Sequence, residues 1–515
     1  MRTSAGWSRG IRPEATTLQA RFTSVWSLGR HRSPFHTLAS TQNSCCGALA
    51  TATNGLRNSS RQAQYVGSTT KPRPLRNPPP DANNTMPLQL EADTVDFASI
   101  IRPGDTVAWG QSNAEPLALT RTLLQQRHSI GAFRVFLGAG NYDTCRPEHA
   151  DCIDFVSYCG SGSNRALAKA GALDILPCHY SQLPEMMESG QLSIDVLLLQ
   201  LAPPDAHGRY SLSVAHEYLI PALERARVII AEVNEQAPWT YGERYLRDDD
   251  LDFIVPTSRA LPESSPSAVS PTELAIAQHT AGLIEDGATI QLGLGAIPEA
   301  ILACLGDRRD LGIHSGTIGD KVADLMESGV INNVRKTIDT GKTIAGVMMG
   351  GRRIHEFAHR NDAVQFRSTR YTHDPNVLAS IDRFVAINSA VEVDLSGQIN
   401  AEIAGGVYVG AVGGALDFLR GARRSRGGVP VIALPSTAGK GATRIVASLN
   451  GPVSTPRSDA AIVVTEYGVA DLRGLTLRQR RERMLAIAHP DHRSALDQMA
   501  GVPPSNRSRS ATLVR

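Results

Sequence analysis

Two glycine-rich turns have residue types and spacing that fit ligand chemistry. In Thr289–Leu305 (TIQLGLGAIPEAILACL) an apolar run ends in Gly293 and Gly295, and Pro298 follows where a helix begins. Proline suits a first helical turn, where its missing N–H would be unpaired anyway. Glycine lets a ligand approach the backbone, and helix-start N–H groups favour anions such as phosphate. The spacing is not the dinucleotide fingerprint GxGxxG. In Gly405–Ala422 (GGVYVGAVGGALDFLRGA) Gly410, Gly413 and Gly414 precede a helical run with Asp417 and Arg420. Consecutive glycines can aim N–H groups at a developing oxyanion. The bland readings are a tight turn for the first segment and close helix–strand packing for the second. Two polar islands, Pro203–Ser211 (PPDAHGRYS) and Thr465–Gly474 (TEYGVADLRG), each follow a strand-like run. Ligands gather at the carboxyl ends of strands in open α/β sheets, so the four motifs predict one shared cleft. His207, His314 and His489 read as structural or exposed.

The elements that must carry these motifs are short β-branched runs alternating with helical stretches. Strands are expected at Thr106–Trp109, Phe133–Leu137, Ile194–Leu201, Val228–Val233, Thr289–Leu292, Thr343–Val347, Phe384–Ile387, Val431–Leu434 and Ala461–Val464. Helices are expected at Pro116–Gln126, Pro298–Leu305 and Lys321–Ser328. This alternation predicts an α/β fold with largely parallel sheets. The Pro- and Ser-rich stretch Pro262–Pro271 (PESSPSAVSP) reads as a linker between two domains, 87–261 and 272–500. Residues 501–515 read as a loose tail.

Residues 1–85 hold 11 Lys and Arg against 2 Asp and Glu, leaving 41 basic and 48 acidic residues elsewhere. The acidic remainder argues against nucleic-acid binding. The basic, Ser-rich start has two readings. It is a mitochondrial transit peptide, which would place the protein in the matrix, or upstream sequence before a true first residue at Met86, which would make it cytoplasmic. Either way residues 1–85 are expected to lack a packed core. There is no apolar run long enough to span a membrane. Seven cysteines form no CxxC pair, so no metal site is expected.

Several segments resemble the acetyl-CoA hydrolase/transferase family, which includes 4-hydroxybutyrate CoA-transferases. They are GLGAIP (293–298), LGIHS with Asp320 (311–320), GQINAE (397–402), GAVGGALDFLRGA (410–422), PRSDAAIVVTEYGVADLRG (456–474) and IAHPDHR (487–493). AEP (114–116), PPDAHG (203–208) and EVNEQAP (232–238) extend the likeness toward the N-terminus. The resemblance implies two similar CoA-transferase-type α/β domains with the active site between them. It implies an acyl-CoA and a small carboxylic acid as substrates, no cofactor beyond coenzyme A, and it leaves homo-oligomerisation open. It also implies a glutamate nucleophile that passes through an anhydride and a glutamyl-CoA thioester, splitting one hard exchange into easier steps.

The sequence departs from that pattern at one position. In the family's LGIHTE-type motif the glutamate falls where this chain has Gly316. Glycine offers no nucleophile, so three outcomes stay open: another carboxylate, direct attack by water, or CoA binding without turnover. The expected substitutes are Glu402 and Glu115, then Asp143, with Glu148 beside it. The expected oxyanion and CoA-binding groups are Gly293, Gly295, Gly413 and Gly414. The reading that follows is a CoA-transferase acting on a short-chain acid, with an acyl-CoA hydrolase or an inactive CoA-binding protein as alternatives.

Overall fold

The computed structural model describes residues 87–262, 268–293, 295–459 and 461–499. The N-terminal extension 1–85, the middle of the expected linker and the expected tail lie outside the described residues. All described residues fall in one compact unit.

Two sheets organise this unit. The first is wholly parallel, in the order Leu88–Gln89, Phe253–Thr257, Val228–Asn234, Val196–Leu201, Thr106–Trp109, Phe133–Leu137, Ile153–Ser157, Asp174–Ile175. The second runs Gly468–Asp471, Ile462–Thr465, Val429–Ala433, Phe384–Asn388, Thr289–Leu292, Gly312–Ile318, Thr343–Met348, Val364–Phe366, Tyr241–Gly242. Only its first strand is antiparallel, closing a hairpin through Glu466 and Tyr467. The TEYG segment is therefore a hairpin tip. The strand Tyr241–Gly242 comes from the N-terminal half yet pairs with Val364–Phe366.

Both sheets wind the same way. Apart from a two-residue edge strand that precedes it in the chain, each sheet starts on a central strand, fills one side, then returns to fill the other. Thr106–Trp109 lies between Phe133–Leu137 and Val196–Leu201, and Thr289–Leu292 lies between Gly312–Ile318 and Phe384–Asn388. Such a reversal opens a crevice at the carboxyl ends of the central strands.

The strands are hydrophobic on both faces because helices cover both. In Val196–Leu201, Val196 and Leu198 enter one core while Leu197, Leu199 and Leu201 enter the other. Each buried leucine contributes about 1.5–3 kcal/mol. The larger core is continuous from Ala108 and Phe136 of the first sheet to Val431 and Val464 of the second.

Strand Gly312–Ile318 was not among the expected strands. Its sequence, GIHSGTI, lacks a β-branched run, and only its pairing with Thr289–Ile290 and Ile344–Met348 makes it extended. The helix expected from Pro298 starts earlier, at Ala296, with Gly295 as its N-cap. Gly295 has φ +117°, a value that side-chain-bearing residues rarely adopt.

Candidate active site

The two sheets meet where the loops after their strands touch. Tyr180 N–H donates to the carbonyl of Gly413 (3.0 Å) and Gly160 N–H to that of Gly410 (2.9 Å). Ser181 donates through N–H and O–H to Asp417 (3.2 and 2.8 Å). His216 N–H donates to Gly346 (3.0 Å), the residue beside Gly316 across the strand pair.

Gly316 is half-buried near the carboxyl end of its strand. A Cβ placed on it would lie 3.1 Å from Cε1 and 3.2 Å from Nε2 of His373. A Cβ on Gly414 would lie 2.5 Å from the same Nε2. The imidazole therefore occupies the space where side chains at 316 and 414 would start. It is clamped between Tyr180 and Phe418, at ring-centroid distances of 4.9 and 4.4 Å. Nδ1 sits 2.8 Å from the Thr372 hydroxyl, whose oxygen lies 3.3 Å from the Ser368 carbonyl. Nε2 has no hydrogen-bond partner among the described residues. Burial lowers its pKa to about 3, so the ring is neutral at ordinary pH. Gly413 (φ +54°) and Gly414 end the loop before helix Ala415–Arg424; Gly413 is bridged in parallel to His179, while the N–H of Gly414 at the N-cap has no backbone acceptor among the described residues. Free N–H groups at a helix start suit a negative oxygen.

Behind His373 lies a buried polar cluster that sequence reading missed. Glu217 Oε2 accepts from Tyr180 O–H (2.6 Å) and Gln111 N–H (2.7 Å), while Oε1 has no partner. Burial raises the Glu217 pKa to about 7, against the lowering effect of those two donors. Gln111 also accepts from Tyr158 O–H (2.7 Å) and Ala139 N–H (2.9 Å). In sequence, AHEYLIPAL looks like the start of a helix with an exposed acid. The signal was the acid's place between His216 and Tyr218 in an otherwise apolar stretch.

The structure separates the sequence candidates. Glu115 is buried after the strand Thr106–Trp109, accepts from Thr120 (2.9 Å), and has its pKa raised by burial to about 7. It lines a small cavity with Gln111, Gly138, Gly140 and Tyr142. Glu402 is also buried, but its oxygens accept from Ser454 (2.6 Å) and Tyr408 (2.8 Å). Asp143 is exposed and paired with Arg146 (3.2 Å), as is Glu148 more loosely (3.9 Å). Asp143 lines the rim of a basic cavity of about 450 Å³ with Arg121, Arg127 and Arg146. Gly293 follows strand Thr289–Leu292 and lines a narrow cavity with Ser315 and Thr317, and a Cβ there would meet nothing within 4 Å. Glu466 is held by Ser436 N–H and O–H (2.8 and 2.6 Å). Of the three histidines read as structural or exposed, His314 is fully buried, His207 exposed and His489 partly buried. Among the described residues the one His–Asp–Cys group, His128, Asp151 and Cys152, is superficial, and Arg127 already takes both oxygens of Asp151.

Models of the acetyl-CoA hydrolase/transferase family match this chain twice, with the N-terminal domain at residues 91–260 and the C-terminal domain at 350–500. The chain is 40% identical to the 4-hydroxybutyrate coenzyme A transferase of Clostridium kluyveri over 76% of its own length and 92% of that protein's. Its fold is similar to that of RipA from Yersinia pestis (TM-score 0.76, 34% identity, 80% and 97% covered). It is also similar to a 4-hydroxybutyrate CoA-transferase from Porphyromonas gingivalis (TM-score 0.67, 35% identity, 80% and 97% covered). Fold and cleft define an α/β enzyme of the CoA-transferase class. The chain belongs to the acetyl-CoA hydrolase/transferase family. Among the described residues no helix is long and apolar enough to cross a membrane.

Proposed function

We propose that the protein moves coenzyme A between an acyl-CoA and a short-chain carboxylate, with the covalent step carried by a group other than residue 316. The observation that carries this reading is the glycine turn at Gly413 and Gly414, which opens helix Ala415–Arg424 and faces the same imidazole as Gly316, with the N–H of Gly414 lacking a backbone acceptor among the described residues. An oxyanion formed from a thioester carbonyl needs such donors. Family membership supports the thioester as substrate. The name of the C. kluyveri relative supports a hydroxy or simple aliphatic acid of few carbons as its partner. Hydrolysis is the second reading, favoured by the absence of a carboxylate at 316. Incubation with a panel of acyl-CoAs and carboxylates, followed by mass spectrometry of the thioesters, tests both. New thioesters are the expected result. Free CoA without new thioesters would replace transfer by hydrolysis, and unchanged acyl-CoA would overturn both.

A further inference from the structure

We propose that His373 is the catalytic nucleophile of this chain, its Nε2 taking the place left empty by Gly316. The inference rests on the thioester reading above. Four observations carry it. The imidazole lies 3.1–3.2 Å from where a residue-316 side chain would begin, so it fills the space that such a side chain would enter. Tyr180 and Phe418 fix its plane. The Thr372 hydroxyl lies 2.8 Å from Nδ1 and 3.3 Å from the Ser368 carbonyl, and in the tautomer in which it donates to that carbonyl and accepts Nδ1–H the lone pair of Nε2 is free. The missing side chain of Gly414, at the start of helix Ala415–Arg424, makes room for Nε2.

The chemistry balances without a cofactor. Nε2 attacks the thioester carbon, the C–S bond breaks, and CoA leaves as thiolate, giving an acyl-imidazolium. The acceptor carboxylate attacks the acyl carbon, the C–N bond breaks, and a mixed anhydride and neutral His373 result. The thiolate then attacks the acceptor's carbonyl carbon of the anhydride, giving the new acyl-CoA and the donor acid as carboxylate. The buried Glu217, hydrogen-bonded to the Tyr180 whose tilted ring packs against His373, is placed to offset the transient positive charge as an anion. Water in place of the acceptor gives hydrolysis through the same intermediate.

The route differs from a glutamate-borne one in what the enzyme carries. Wild-type enzyme treated with acyl-CoA, acid-quenched and weighed intact should gain the acyl group and not CoA, and peptide mapping should place it on His373. His373→Gly should lose at least about 1,000-fold in turnover. It should regain tenfold or more with added imidazole, which a merely structural role would not produce. If His373→Gly does not fold, His373→Gln and the wild-type adduct decide. Borohydride reduction of Glu115, Glu217 or Glu402 to its alcohol in acyl-CoA-treated enzyme, the mark of a glutamyl-CoA thioester, would overturn the inference and leave CoA transfer standing. So would full exchange in a folded His373 variant. If the wild type exchanges with no acid, the transferase reading fails. An acyl group on His373 then still upholds the inference for a hydrolase, and its absence overturns it.

Discussion

A methyl group on Gly414 would fall 2.5 Å from Nε2 of His373, although the φ of −90° at Gly414 suits any residue. Gly414→Ala therefore acts by pushing the imidazole and not by straining the backbone. Turnover should drop by about 100-fold or more, with a stability loss of about 1–3 kcal/mol from overpacking; steady-state kinetics beside a denaturation curve would show both. The same crowding bears on restoring a glutamate. Gly316→Glu alone has to displace His373, whereas Gly316→Glu with His373→Ala has room. Only the double variant should yield a glutamyl-CoA adduct on mass analysis. Glu217 sets a pH dependence. Between pH 4.5 and 7 the folded protein holds a proton there that the unfolded chain has lost, so stability falls as pH rises through that window, by roughly 3 kcal/mol. Glu217→Gln should remove that fall, seen by comparing urea unfolding at about pH 5 and about pH 8. Gly316 was legible because it breaks a long motif. His373 was not, because a histidine in YTHDP has no pattern of its own and gains meaning only from the two glycines it faces across the fold.

At the scale of elements, the strand ends of the first sheet are tied by one cation. Arg259 pairs with the buried Glu232 (2.6 Å), donates to the backbone carbonyl of Glu115 (2.7 Å), and also reaches Gln200. Arg259→Met would leave Glu232 charged without its ion partner and should cost about 3–5 kcal/mol in a denaturant titration. Glu232 Oε2 also accepts the N–H of Ala118 (2.8 Å) in the uncapped first turn of helix Leu117–Ile130, so the loss should loosen Glu115 as well. Elements whose side chains face apolar layers on both sides were readable. Thr106–Trp109, Phe133–Leu137 and Thr289–Leu292 fall where their β-branched and aromatic runs end. Gly312–Ile318 was hidden because its strand form comes from neighbours on either side and not from its own propensity. Ile153–Ser157 was hidden because Asp154 and the flanking cysteines obscure its period.

For the whole molecule, the core that runs unbroken between the sheets implies one unfolding event. Far-UV circular dichroism and tryptophan fluorescence should report a single, coincident transition; two separated transitions would contradict the shared core. The α/β class was readable from alternation alone, because strand and helix periods are local properties. How the halves interlock was not, since the pairing of Tyr241–Gly242 with Val364–Phe366 joins residues more than a hundred apart. That short strand has a consequence for any attempt to divide the gene. A fragment ending near residue 262 would carry away the outer edge of the other half's sheet, and a fragment starting near 268 would be left with the bare amides of Val364–Phe366, an invitation to self-association. Produced together, the two pieces should find each other and rebuild a working heterodimer, because each completes a surface that the other cannot close.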